Sequence, residues 1–133
     1  MTGVQILSAL FIEGIDARPV PGPSTRLDLT GVQFSAPAPH EPPFAWTPHL
    51  CVIVHCPEGD PPNAALEVRF LRDGEQIARN VQPMQVDPGK FNYRLVRAEM
   101  EFDDYGTVEA RCRIDLGEVV VVPFTLLPPV PGD

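Results

Sequence analysis

The sequence predicts an all-β chain folded as an antiparallel β-sandwich, immunoglobulin-like in architecture and built from about eight strands. Three observations predict it. Val108, Ala110, Cys112, Ile114 and Leu116 alternate with Glu109, Arg111, Arg113 and Asp115. That period of two is the mark of a half-buried strand. The 17 prolines cluster at residues 19–23, 37–48, 57–62 and 128–131. Proline interrupts helices and central strands alike, so these clusters punctuate short strands, and no apolar helical period runs through the chain. Turn signals recur between the apolar runs, the strongest being Asp73-Gly74, where both positions must tolerate positive φ.

In chain order, the first strand is expected over residues 4–13. Both of its parities are apolar, which suits a strand that is central or covered on both faces. Residues 14–25 contain Pro-Val-Pro-Gly-Pro and are expected to be irregular. The second strand spans 26–34, with Gly31 at a slip between the Leu27/Leu29 phase and the Val32/Phe34 phase, the place for a bulge. The connection 35–48 is long, Pro-rich and carries Phe44 and the single tryptophan, Trp46. Loops of that length are commonly functional, although Trp46 also suits a plug at one end of the core.

The third strand, 49–56, is apolar on both parities, and residues 57–64 form a loop. In the fourth strand, 65–72, Leu66, Val68 and Phe70 face inward while Glu67 and Arg69 face out. The fifth runs over 75–86, and Pro83 demotes its second half to an edge or bend. After a turn at 87–90, strand six (91–102) is expected to point Phe91, Tyr93 and Leu95 inward, then to shift near 94–97 so that Ala98, Met100 and Phe102 take over. A turn at 103–106 leads to the closing hairpin 107–127, whose second arm, from Val119 to Phe124, is apolar on both faces. Residues 1–127 are thus one sandwich domain, and 128–133 a Pro-rich C-terminal tail with nothing to pack. The Cys…Trp…Cys order of true immunoglobulin domains is missing, because Trp46 precedes Cys51, Cys56 and Cys112.

Composition narrows the function classes. The formal charge is −8, with 18 acidic residues against 10 basic ones, and a phosphate backbone needs clustered cations. Arg69, Arg94, Arg97, Arg111 and Arg113 fall on separate strands, so no nucleic-acid partner is expected. The apolar run 4–12 has no basic residue before it and is too short to cross a bilayer. It reads as a buried strand, and no membrane partner is expected. Three cysteines in no disulfide-rich spacing imply reduced thiols and a cytoplasmic setting.

The sharpest chemical feature is the strand His49-Leu50-Cys51-Val52-Ile53-Val54-His55-Cys56. His49, Cys51 and His55 share one face, and imidazole with thiolate is a zinc-ligand set. Cys51 and His55 are nevertheless separated by roughly 13 Å at about 3.3 Å per residue, and a further ligand such as His40 would have to come from the Pro-rich loop. His49, Cys51 and Cys56 are therefore weak metal candidates, and free cysteine is commonly a small buried hydrophobe. Cys56, beside Pro57, is the one thiol expected to be exposed, while Cys112 should be inert in the core. The acids Glu58, Asp60, Asp103 and Asp104 sit at loop tips without the alternation of a calcium site. No nucleophile elbow, Cys-x-x-Cys, zinc-protease motif or phosphate loop occurs, so no catalytic residue and no cofactor is expected.

The apolar opening Ile6-Leu7-Ser8-Ala9-Leu10-Phe11, the run Leu29-Thr30-Gly31-Val32, the segment from Pro48 to Val54, the hairpin Leu71-Arg72-Asp73-Gly74-Glu75 and the closing stretches Tyr105-Gly106-Thr107-Val108-Glu109 and Val122-Pro123-Phe124 stand together over residues 4–127. In these the chain resembles an uncharacterised bacterial family of small single-domain β-sandwich proteins, a domain of unknown function. The resemblance implies the fold and assigns no catalytic residue. The preference for arginine over lysine, with abundant Pro, Ala and Val, suits a GC-rich bacterial genome.

The expectation from sequence is therefore a non-enzymatic binding or structural module that presents Pro-rich loops to a protein partner, with Phe44 and Trp46 as contact anchors. The open edges of a sandwich also allow a homodimer, with Pro83 and Pro123 guarding two of them. The alternative is a metal-binding or thiol-dependent protein that uses the strand from His49 to Cys56.

Overall fold

A computed structural model describes residues 3–18 and 26–130, with backbone alone at Ala17 and Arg18. The described residues form twelve strands and no helix, hence no helix long and apolar enough to cross a membrane. β1 (Gln5–Ile12), β6 (His49–His55) and β9 (Phe91–Arg97) make a three-stranded antiparallel sheet in the order β1-β6-β9. β5 (Phe44–Trp46) and β10 (Met100–Phe102) pair with each other as a continuation of the β6–β9 ladder, past breaks at Thr47-Pro48 and Ala98-Glu99. The opposing sheet has the order β4-β12-β11-β7-β8, from β4 (Ser35–Pro37), β12 (Val120–Leu127), β11 (Gly106–Ile114), β7 (Asn63–Arg72) and β8 (Glu75–Gln85). Its pairings are antiparallel except β4 with β12, which run parallel. β2 (Gly14–Arg18) and β3 (Arg26–Thr30) form a separate ribbon.

The molecule is therefore all-β and sandwich-like. One parity of each main strand enters a common core: Ala9 and Phe11 from β1, Leu50, Val52 and Val54 from β6, Leu66, Val68 and Phe70 from β7, Val108, Ala110 and Cys112 from β11. Aromatic rings close one end of it. Phe124 lies between Phe11 (5.1 Å, edge-on) and Trp46 (4.6 Å, stacked), and Trp46 also reaches Phe102 at 6.0 Å. Edge-to-face and offset stacking at these separations add to the burial term. Trp46 plugs the core as one of its two expected roles required.

Turn chemistry follows the sequence. Asp73 and Gly74 have φ of 52° and 81°, and Arg72 pairs directly with Glu75, the primed two-residue turn that matches strand twist. The Lys90 N–H donates to the Asp87 carbonyl at 3.0 Å with Gly89 at φ 80°, a turn of the Pro-Gly kind.

Four expectations are corrected. There are twelve strands rather than eight, because proline pairs and glycines cut long ladders into pieces. Residues 14–18, expected to be irregular, form β2: prolines begin only at Pro19, and the backbone from Gly14 to Arg18 pairs in register with Thr30 to Arg26. The rest of that predicted loop, 19–25, lies outside the described residues, as does the end of the tail. β1 is not central, since β6 takes that place and β1 gains only a bridge from Phe11 to Gln33 on its other side. Finally, the phase of β9 is the reverse of the prediction. Val96 is buried, whereas Phe91 and Leu95 are 53% and 40% exposed. Leu50, Val52 and Val54 take the core side of β6, so the residues of β9 opposite Cys51, Ile53 and His55 face away from it. The shift expected near 94–97 is absent: Val96, Met100 and Phe102 keep one parity turned inward from β9 into β10, so only the last part of the predicted phase is right.

Edges are handled as the sequence suggested. The Thr125 N–H donates outward to the Phe34 carbonyl, and strand groups two residues apart point the same way. Pro123 thus turns its missing N–H toward the side of β12 away from β11, and Pro83 lies on the outermost strand, β8. Both remove a donor where a foreign strand would pair.

Phe124 is 1% exposed and packs against both Phe11 and Trp46 in the aromatic plug. Phe124→Ala is expected to cost about 3–5 kcal/mol of unfolding free energy, read as a lower urea midpoint at constant slope. A loss comparable to that of an exposed substitution would show that the plug does not hold the sheets together.

Candidate functional site

The structure separates the residues of the His/Cys strand. Cys56 follows β6 on the core side and is fully buried, whereas His49, Cys51 and His55 lie on the opposite face of the sheet. No three His, Cys, Asp or Glu side chains among the described residues come close enough to hold a metal ion. The expected exposure of Cys56 is corrected. The preceding ladder carries it inward, and its Sγ sits 3.5–3.7 Å from the carbonyl oxygens of Pro57, Asp60 and Pro61, so the thiol knits the following loop. Burial, reinforced by the charges of Asp60 and Asp87, raises its pKa. Burial also raises Cys51, and pushes Cys112 up to about 12. Each thiol is held in its un-ionised, unreactive form.

Of the two aromatic anchors, Phe44 is 3% exposed and packs against Phe102 at 5.8 Å and Tyr105 at 6.0 Å. It is a core residue and has no face to offer a partner. Trp46 is half-buried, held between Phe11, Phe102 and Phe124. His40 stacks edge-on to Phe44 from the loop, with ring centroids 6.4 Å apart. The loop acids serve backbone: Asp60 accepts from the Gly3 N–H at 2.9 Å and Asp104 from the Tyr105 N–H at 2.8 Å. Arg72 fastens the same turn by donating to the Asp104 and Tyr105 carbonyls while lying over the Phe102 ring.

What the sequence reading missed lies on the outer faces of the two sheets. On the three-stranded sheet the outward row contains Gln5, Ser8, Leu10 and Ile12 of β1, His49, Cys51, Ile53 and His55 of β6, and Phe91, Tyr93, Leu95 and Arg97 of β9. Leu7, extruded at a bulge between Ile6 and Ser8, is 54% exposed beside them. Phe91 stacks on His55 at 4.6 Å. None of these residues is acidic, in a chain with 18 carboxylates. The face is apolar over its β9 side, where Arg97 is the one charged residue of the row, while Cys51 and Ile12 are buried within it.

On the five-stranded sheet the outer face is charged. Arg111, Arg69 and Arg79 stand in direct register across β11, β7 and β8, and Arg113, Glu67 and Val81 form the next row. Arginines that are scattered along the chain therefore converge, through alternation on neighbouring strands. Glu67 is the hub: it accepts from Arg79 Nε at 2.8 Å and from Arg113 Nε at 2.6 Å, although it is only 9% exposed. Those two hydrogen bonds hold its carboxyl below the usual carboxylate range, against the opposing effect of burial. Glu109 accepts from Arg111 at 3.1 Å, and Arg69 gives its Nε to the neutral Gln76 at 2.8 Å. Arg111 Nε is enclosed and meets no acceptor.

No protein-family model matches the chain, and no curated protein matches it.

Two outcomes are expected. In the folded protein all three thiols should react with Ellman's reagent only as fast as the chain opens, with no slowing by zinc, and rapid labelling of Cys56 would contradict its placement. The pKa of Glu67 is lowered on folding, so its stabilisation is whole above the ordinary value of 4.5 and is lost as the pH falls below it. Glu67→Gln should melt earlier than the native protein at neutral pH, and the two melting curves should converge in acid. A gap that is the same at every pH would mean that the charge of Glu67 contributes nothing.

Proposed function

We propose that this chain is a non-enzymatic protein-binding module on an immunoglobulin-like sandwich, and that its outer apolar sheet face pairs with a second copy of itself. Joining β5 to β6 and β9 to β10, with the β2–β3 ribbon as an appendage, leaves eight runs. Their arrangement, three against five with one parallel edge pairing, supports the immunoglobulin-like reading.

The observation that carries the functional reading is the acid-free face around Phe91, Tyr93, Leu95, Ile53 and Leu7. Exposed apolar patches of this kind mark interaction sites. Two copies of a chain charged −8 repel each other over most of their surface. A face without carboxylates is where that repulsion is least, and a two-fold contact uses the same patch on both copies. The Pro-rich loops that flank the sheets remain pre-ordered, at little entropic cost to any further partner. The three thiols are free, which fits a reducing, cytoplasmic setting.

Sedimentation over a concentration series tests the pairing. The native chain should sediment as a dimer at micromolar concentration, while Leu95→Glu, a substitution at an exposed position, should be monomeric with unchanged melting behaviour. A native chain that stays monomeric throughout, or a Leu95→Glu variant that still dimerises, removes the face from the interface.

A further inference from the structure

We propose that the outer face of the five-stranded sheet is a second binding site, and that it takes an extended acidic segment of a partner protein. The proposal does not depend on pairing through the opposite sheet.

Arg111, Arg69 and Arg79 occupy adjacent strands in one row. Strands lie about 4.8 Å apart, so three guanidinium side chains fall within about 10 Å. Like charges placed directly opposite each other destabilise a sheet, and only Glu67 and Glu109 offset the four arginines of this face. The two ion pairs of Glu67 use Nε of Arg79 and Arg113, the pair with Glu109 uses a terminal nitrogen of Arg111, and Arg69 spends its Nε on Gln76. The terminal nitrogens of Arg69, Arg79 and Arg113 have no hydrogen-bond partner among the described residues, and the Arg79 side chain is 53% exposed. A planar guanidinium fork left open in this way matches a carboxylate in two-point contact. An excess of positive charge on one face of a chain whose total is −8 also selects for an anion by contrast with its surroundings.

The flanks identify the kind of anion. Val81, Val121 and Ile77 surround the row at 47%, 47% and 40% exposure, so the ligand brings apolar side chains as well as charge. The rows around the arginines hold no aromatic side chain on which a base could stack, and single-stranded nucleic acids depend on such platforms. The sheet is open and shallow here, which suits an extended peptide. In such a peptide, carboxylates two residues apart are separated by about 6.8 Å, within the span of the row.

Fluorescence polarisation at low salt tests this with a short labelled peptide of alternating glutamate and valine, and with an oligothymidylate of equal charge as the competing class. The native protein should bind the peptide, and added salt should release it. Arg69→Gln removes the guanidinium whose single bond is to a neutral side chain, so folding should be kept, and affinity should fall about tenfold, as for one lost charged contact. Val81→Asp, which sets an acid beside the row on the outermost strand, should weaken binding similarly. Leu95→Glu, on the opposite sheet, should leave it unchanged. Absence of peptide binding, equal binding by Arg69→Gln and Val81→Asp, or tighter binding of the oligothymidylate would overturn the proposal.

Discussion

A pleated strand has two sides and no third, and that constraint decides most of this molecule. Once Leu50, Val52 and Val54 enter the core, the remaining parity of β6 must face away from it. Register then transmits the choice to β1 and β9, and everything opposite Cys51, Ile53 and His55 goes out with them. Because both parities of these strands are rich in apolar residues, the sheet acquires an apolar outer surface. The same rule on the other sheet collects Arg69, Arg79, Arg111 and Arg113 from three strands onto one surface and puts Glu67 among them. The two faces differ in character because the second parity differs in composition.

Between the sheets, stability comes from ordinary sources concentrated in an unusual place. The aromatic group of Phe11, Trp46, Phe102 and Phe124 lies where β5 and β10 extend the small sheet. The Pro-rich connection delivers Phe44 and Trp46 to that end of the core, so its stiffness positions packing residues rather than displaying them. Arg72 then ties the neighbouring turn to the end of β7.

The positions of the long strands, the Asp73-Gly74 turn and the inward phase of β7 and β11 were legible in the sequence because polar and apolar residues alternate there, whereas the short β4 and β5 fall inside the connection 35–48 that reads as a loop. The phase of β9 was not. Phe91, Tyr93 and Leu95 form as good an apolar stripe as any, and only the register with β6 breaks the tie. β2 was hidden by the prolines that follow it. The arginine face was hidden for another reason: its members are far apart in the chain, and strand order, which sequence patterns do not encode, brings them together. Arg79 and Glu67 are the missing signal, outward residues on two strands joined by the Asp73-Gly74 turn and therefore bound to be neighbours.

The inverted phase of β9 has one more effect. Its core-side parity contains Asn92 and Arg94, both half-buried, at the open border of the small sheet. A charge aimed inward along that border discourages another ribbon from zipping onto it. Edge-to-edge strand addition is thereby disfavoured along β9, the border of the sheet whose outer surface carries the exposed Phe91 and Leu95.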